Sequence, residues 1–364
     1  MADVASSPIG GDPDEPGMSR RTVADPATFE AQEPDRGRTA ASPWRIPPRG
    51  WVDILWRTLR ETGEDRLTVV AGSVTYYTLL AIFPGVGVFV SLYGLFADVA
   101  EVEKQLLQLS AVFPPDVTRL TGEQMIRLAG ADSEGLSFAF VASLLLSVWS
   151  ASAGMRALFD GLNIAYDETE RRSYAVRAAL TYGFTLALVV FLAVVSALLV
   201  AAPIALARAG LADTWLAAVR WPLVFLVATL AFSVAYRYGP SRQRARWRWL
   251  TPGSAFASAL WIGGSAGFSW YLNNVAGLDR VYGSLGAVIG FMLWIWFSVM
   301  IVLIGAELNA EIEHQTALDS TTGPPEPMGE RGAAMADTVG LRFDGLGRLL
   351  GGGWDRVRKA LKRR

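Results

Sequence analysis

From Val281 to Ala306 the chain reads VYGSLGAVIGFMLWIWFSVMIVLIGA, 26 residues without a charged side chain. At a helical rise of ~1.5 Å per residue the stretch reaches ~39 Å, more than the ~30 Å hydrocarbon core of a bilayer. Large apolar residues fall on every face, so the helix keeps no stripe for water. Such a helix is either a membrane span or the centre of a large soluble protein. Four comparable runs and one shorter run decide for the membrane. Hydrophobic residues make up 52% of the chain and charged ones 18%, against ~25% charge in a soluble domain. The expected fold class is an all-α membrane protein with six transmembrane helices, at about 67–97, 136–160, 178–207, 215–238, 250–273 and 281–307.

The first run carries Ser73, Thr75, Tyr76, Tyr77 and Thr78, then Pro84-Gly85, where a missing N–H should kink the helix. Between helices one and two, Val99, Val102, Leu106, Leu109 and Val112 keep a 3-or-4 spacing up to Pro114-Pro115. This predicts an amphipathic helical insertion capping the outer face. Ahead of helix one, Trp51, Ile54, Leu55 and Leu59 share a face, with Asp53, Arg57, Arg60 and Glu61 opposite. That short helix is expected to lie on the membrane surface, or to pack on the protein's own cytoplasmic face.

Residues 1–48 are rich in Pro, Gly, Ser, Asp and Arg, and are read as a disordered cytoplasmic tail. Residues 50–313 form the membrane domain, and residues 314–364 a disordered, basic tail suited to anionic headgroups. Arg237, Arg242, Arg244, Arg246 and Arg248 crowd the connection between helices four and five. A basic, Trp-interleaved loop can suggest nucleic acid, but here it acts as a positive-inside determinant, and no nucleic-acid partner is expected. The arginine bias places both termini in the cytoplasm.

There are no cysteines and a single histidine, His314. Phosphodiester hydrolysis wants a His acid–base pair or carboxylates holding divalent metals. Glu307, Glu311 and Glu313 gather at one helix end; Glu307 and Glu311 share a face at i, i+4 that could hold a cation, but solvation or pairing with a neighbouring arginine is the expected arrangement. No Walker loop, nucleophile elbow or zinc spacing occurs. The expectation is a chain without enzymatic activity, cofactor or metal site.

Polar groups at membrane depth are the default functional candidates. Thr75, Tyr76, Tyr77, Arg156, Asp160, Asn163, Glu307 and Asn309 are candidates for a polar cavity or gate. The alternative is structural, with Arg156 pairing Glu307 or Asp160 to lock two helices. Gly263-x-x-x-Gly267 and Gly286-x-x-x-Gly290 predict close packing of helices five and six.

Three segments carry a family resemblance: AGSVTYYTLLAIFPG from Ala71, SASAGMRALFDGLNIAYDETERRSYAVRAAL from Ser150, and YGSLGAVIGFMLWIWFSVMIVLIGAELNAEIE from Tyr282. In this order they resemble the YihY/BrkB family over about residues 50–313, with Leu278-Asp279-Arg280-Val281 departing mildly from the family's usual polar turn. The resemblance implies a six-helix, multi-pass protein of the bacterial plasma membrane. Family members carry older labels as ribonuclease BN or as virulence and serum-resistance factors, and some are linked to envelope lipid or lipopolysaccharide export. The expected function is therefore transport or handling of a lipid or small amphipathic envelope component, with membrane lipids as partners. The alternative is a membrane scaffold or interaction protein without transport activity.

Overall fold

Pro47 and Pro48 set where the first long helix begins, because a proline at the first helical position has its φ preset and needs no N–H partner. The computed structural model describes residues 26–96, 133–196, 198, 214–272, 274, 277–278 and 282–343. Within them lie α1 (Pro26–Gln32), α2 (Pro48–Glu64), α3 (Leu67–Phe96), α4 (Ser133–Ala165), α5 (Tyr174–Ser196), α6 (Thr214–Tyr238), α7 (Trp247–Tyr271), α8 (Gly286–Glu313) and α9 (Ala334–Asp337). Among the described residues there is no strand, only an isolated antiparallel bridge between Ala245 and Thr321.

Among the described residues, three helical stretches are long and apolar enough to cross a membrane: Tyr174–Leu192, Val219–Tyr238 and Gly286–Glu313. The helix α3 runs without a break through Pro84. The expected insertion between α3 and α4 falls almost wholly on residues 97–132, outside the described residues, as does the basic end from residue 344.

The helix α8 is central, touching α2, α3, α4, α7 and α9. The core is concentrated at the end of the bundle where α8 finishes. Leu67, Ala71, Phe159, Leu162, Tyr166, Tyr236, Leu250, Leu303, Ala306 and Ala310 form one buried cluster there. Elsewhere large apolar side chains look outward, among them Leu145, Leu186, Val189, Leu226, Leu230 and Trp270. An apolar belt of this kind suits a lipid solvent rather than water.

One expectation for the terminal regions is corrected. Residues 26–47 and 314–343, read as disordered tail, fold together over the end of the bundle. Phe29 packs with Ala317 and Met328, and Ala40 and Ile46 pack with Ile54, Trp249, Leu308 and Ile312. We call this the capped end. The few apolar residues in each segment are too sparse to form a core alone, but pooled they bury one another.

The helix α2 packs on the protein, one of its two expected placements, and does so with much of its charged face inward. Asp53, Ile54, Arg57 and Thr58 are buried against the protein, while Val52, Leu55 and Leu59 face out, Leu59 at 77% exposure. The helix therefore packs on the protein through Asp53, Arg57 and Thr58 together with Ile54, and offers Val52, Leu55 and Leu59 to the surroundings.

The helices α7 and α8 do pack closely, but not through the expected glycines. Nothing lies within 4 Å of a Cβ built at Gly263 or Gly267. The close approach is between Gly253 and Gly305, where a Cβ on Gly305 would meet the Ala257 Cβ at 2.7 Å and the Tyr236 hydroxyl. The Tyr236 hydroxyl donates to the Val302 carbonyl at 2.8 Å and so brings α6 to the same contact. Gly305→Ala should lower stability by about 1–3 kcal/mol through overpacking. Gly263→Ala should be neutral or gain up to ~1 kcal/mol from helix propensity. Thermal unfolding of the detergent-solubilised protein separates the two, and equal effects would contradict the packing.

Candidate functional site at the capped end

Arg57 of α2 reaches into the capped end at 1% exposure. Its Nε donates to the Glu311 carboxylate, and Nη2 donates to the Glu311 carbonyl at 3.1 Å and to Gln315 Oε1 at 2.7 Å. Nη1 donates to the Leu341 carbonyl at 2.7 Å. Gln315 in turn donates to the Arg36 carbonyl at 2.9 Å. Asp53, one turn before Arg57, accepts from Arg36 and from the Phe343 N–H. A guanidinium is tolerable so deep because its fork of donors meets a full set of acceptors.

Two more arginines are drawn into the capped end, though Arg242 Nη1 finds no acceptor. Arg38 donates to Glu33 through Nε and Nη2 at 2.8 and 2.6 Å, and to the carbonyls of Gln315 and Gly340. Arg242, from the connection between α6 and α7, donates to Glu313 at 2.5 Å and stacks over the Tyr166 ring at 5.0 Å. Burial pushes the Tyr166 phenol well above its ordinary range, so it stays neutral. The arginine-rich connection is thus largely spent on the protein itself, with Arg237 over the Trp247 ring at 4.6 Å and Arg244 over Tyr238 at 5.0 Å.

The cavity candidates scatter. Thr75 is buried and bonds back to the Ala71 carbonyl at 2.7 Å. Tyr76 and Tyr77 pack edge-to-face on each other, and Tyr76 is 61% exposed. Arg156 pairs with neither Glu307 nor Asp160. It donates to Ser152 Oγ at 3.0 Å, while Asp160 takes Arg177 at 2.6 Å. Asn163 accepts from the Ser241 N–H at 2.7 Å, which ties the end of α4 to the end of α6. Asn309 lays its amide against α7, accepting from the Gly253 N–H at 2.8 Å and donating to the Leu250 carbonyl at 2.9 Å. It is a splice between α7 and α8 beside Pro252, where α7 lacks one ladder donor.

Glu307 stands apart. It is 1% exposed and neither carboxylate oxygen has a hydrogen-bond partner. Glu61, Asp65, Asp167 and Glu311 all lie close enough to act on it electrostatically. Within that group, burial and then the neighbouring charges of Asp167, Glu61, Glu64 and Glu311 push Asp65 up to about 6. Asp167 is also raised, by burial, partly offset by His314. His314 Nε2 lies 3.1 Å from Thr338 Oγ1, and Nδ1 lies 3.5 Å from Glu311. No group of three or more His, Cys, Asp or Glu among the described residues is placed to hold a metal.

A cleft of about 440 Å³ lies between α7 and α8, toward the end of the bundle away from the cap. Phe268, Leu272, Leu278, Phe291 and Trp294 line it, with Ser265 and Ser269. Trp294 Nε1 donates to Ser265 Oγ at 3.2 Å across it. Gly286 and Gly290 form part of its wall, so this glycine pair opens a space rather than closing one. None of the eight candidate cavity residues lines it. The arginine network was missed because its members lie in segments read as tail or as a solvent-facing stripe. A sequence signal did exist: three glutamates ending an apolar helix need cations, and Arg57 sits four residues from Asp53 on one face of α2.

A family model described as virulence factor BrkB matches residues 58–329. The chain is 31% identical over 261 residues to the ribonuclease-like protein YfkH of Bacillus subtilis, a match covering 68% of this chain and 90% of that one. It is 28% identical over 274 residues to a UPF0761 membrane protein of Cronobacter sakazakii, covering 73% of this chain and 89% of that one. A UPF0761 membrane protein of Methylibium petroleiphilum is 28% identical over 268 residues, and the match spans 62% of that relative's length. No solved structure matches the chain.

Arg57→Met should cost about 3–5 kcal/mol, because it leaves Glu311 buried without its main partner. Adding Glu311→Gln to it should recover part of the loss, as read by thermal unfolding of the double-mutant cycle. For Asp65, the raised pKa means the fold favours the uncharged carboxyl. The stability owed to this group is full below its ordinary value of 3.8 and is lost as pH rises through about 6. Asp65→Asn should therefore raise Tm at pH 7.5 and leave it unchanged near pH 3.5.

Proposed function

The chain belongs to the BrkB virulence-factor family of membrane proteins, and from that premise we propose that it moves or handles a lipid or similar amphipathic component of the bacterial envelope. In this reading six helices, α3 to α8, cross the plasma membrane, with the capped end and both termini in the cytoplasm. The observation that carries it is the cleft between α7 and α8. Its volume falls in the ~300–1,000 Å³ range of small-molecule sites, and its wall is aromatic and aliphatic with two serines. Such a wall suits an acyl chain with a polar group near one end.

The reading does not include phosphodiester cleavage. The ribonuclease-like name belongs to the Bacillus subtilis relative. In this chain the single imidazole is engaged with Thr338 and Glu311 beside a packed cap. The scaffold alternative draws on the amphipathic insertion and the basic tail, which lie almost wholly outside the described residues apart from 314–343, and those pack into the cap.

Gly290 gives a direct test. A Cβ there would sit at an ordinary 3.5 Å from Leu272 and Leu278. Gly290→Ala should be tolerated, whereas Gly290→Leu should fill the cleft. The leucine variant should lose co-purifying lipid in native mass spectrometry and lose movement of a fluorescent phospholipid across proteoliposomes, with Tm little changed. Full retention of both by Gly290→Leu would remove the cleft from the mechanism.

A further inference from the structure

One turn separates Glu307 from Glu311, and the two carboxyls meet opposite conditions. Glu311 has Arg57 and lies 3.5 Å from His314. Both oxygens of Glu307 are buried without a hydrogen-bond partner. Besides the buried Tyr166 phenol, whose hydroxyl also lacks a partner, the groups acting on it are Glu311 from its own helix, Glu61 from α2, Asp65 from the α2–α3 link and Asp167 from the end of α4. All four are carboxyls. The helix α3 presents no charged residue between Leu67 and Ala81. On α4, Arg156 is bonded to Ser152 and Asp160 to Arg177. From α6, the Tyr236 hydroxyl is given to Val302.

An anion in that position lacks both hydrogen bonds and a counter-charge, a cost that normally neutralises the group. A hard cation would need several oxygen ligands, and the described residues offer no metal-holding set. A proton needs one oxygen and removes the charge outright. We propose that Glu307 is a proton-binding site, loaded and unloaded through an acidic mouth formed by Glu61, Asp65 and Asp167. The step is the addition of one proton from water at the capped end to the carboxylate, giving the neutral acid, and its reverse. Asp65, pushed up to about 6, exchanges protons near neutral pH. The purpose of the site, drawing on a proton gradient, rests on the transport reading; the site itself does not.

The test uses the full chain in lipid nanodiscs and infrared difference spectra over a pH titration. The wild type should show the C=O stretching band of a protonated carboxyl. Glu307→Gln should lose that band, Asp65→Asn should keep it, and Glu307→Asp should shift it. If Glu307→Gln does not fold, the wild type and Glu307→Asp decide the matter, since an unshifted band assigns it to another residue. An unchanged band in Glu307→Gln, or no band in the wild type, overturns the proposal. A proteoliposome assay with a fluorescent phospholipid separates the two ideas. Movement that responds to an imposed pH gradient in the wild type but not in Glu307→Gln supports both. A protein that moves no lipid while keeping the Glu307 band refutes transport and leaves the proton site standing.

Discussion

Burying a guanidinium and a carboxylate together is favourable only when every remaining donor and lone pair is also satisfied. At Arg57 and Glu311 this requirement organises the capped end. The α8 carboxylate supplies the charge, but Arg57 has more donors than one carboxylate can use, and the surplus is taken up by Gln315 and the Leu341 carbonyl. Those acceptors come from the chain after α8, and Gln315 passes the connection on to Arg36, ahead of α2. One ion pair therefore recruits segments from both ends of the chain. Arg38 with Glu33 follows the same rule beside it, whereas Arg242 with Glu313 meets it only in part, since Arg242 Nη1 and Glu313 Oε2 are buried without a hydrogen-bond partner.

The same rule explains the inversion of α2. An amphipathic helix ordinarily buries its apolar face because water is the alternative. Here the carboxylates at the end of α8 demand cations, so the Asp53–Arg57 side of α2 turns inward. Val52, Leu55 and Leu59 are left outside, with Trp44 close by in sequence and also exposed. In water that arrangement would be costly. At a bilayer interface it is the expected one, with the apolar side among acyl chains and the polar side kept wet or paired.

How much of this was legible in the sequence depended on the range of the interaction. Helices α3 to α8 are written in local composition, and each overlaps one of the expected apolar stretches. The cap is not local. Arg57 and Glu311 are 254 residues apart, and nothing near either one names the other. The small-residue motifs misled for a related reason. A Gly-x-x-x-Gly spacing shows where a helix permits close approach, while the neighbour's position decides where it occurs. Gly253 and Gly305 meet because Asn309 fixes the register of α7 against α8. Of the candidate residues, Glu307 alone kept a functional reading, since the structure brings carboxyls around it and withholds a partner.

That contrast also decides what a truncation can show. Removing residues 315–364 to ask whether the tail has its own role would take away Gln315, the Leu341 carbonyl and the Gly340 carbonyl at once. Arg38 and Arg57 would each lose acceptors while remaining buried, and an unmet buried donor on a charged group is among the costliest single defects a fold can carry. The truncated chain would fail by destabilising the bundle, whatever the tail does. The division that isolates the tail lies after Phe343, whose N–H still bonds Asp53 and whose ring lies 5.6 Å from Trp56. Cutting there keeps every described bond of the arginine network, so it is the better division for asking what the basic end does.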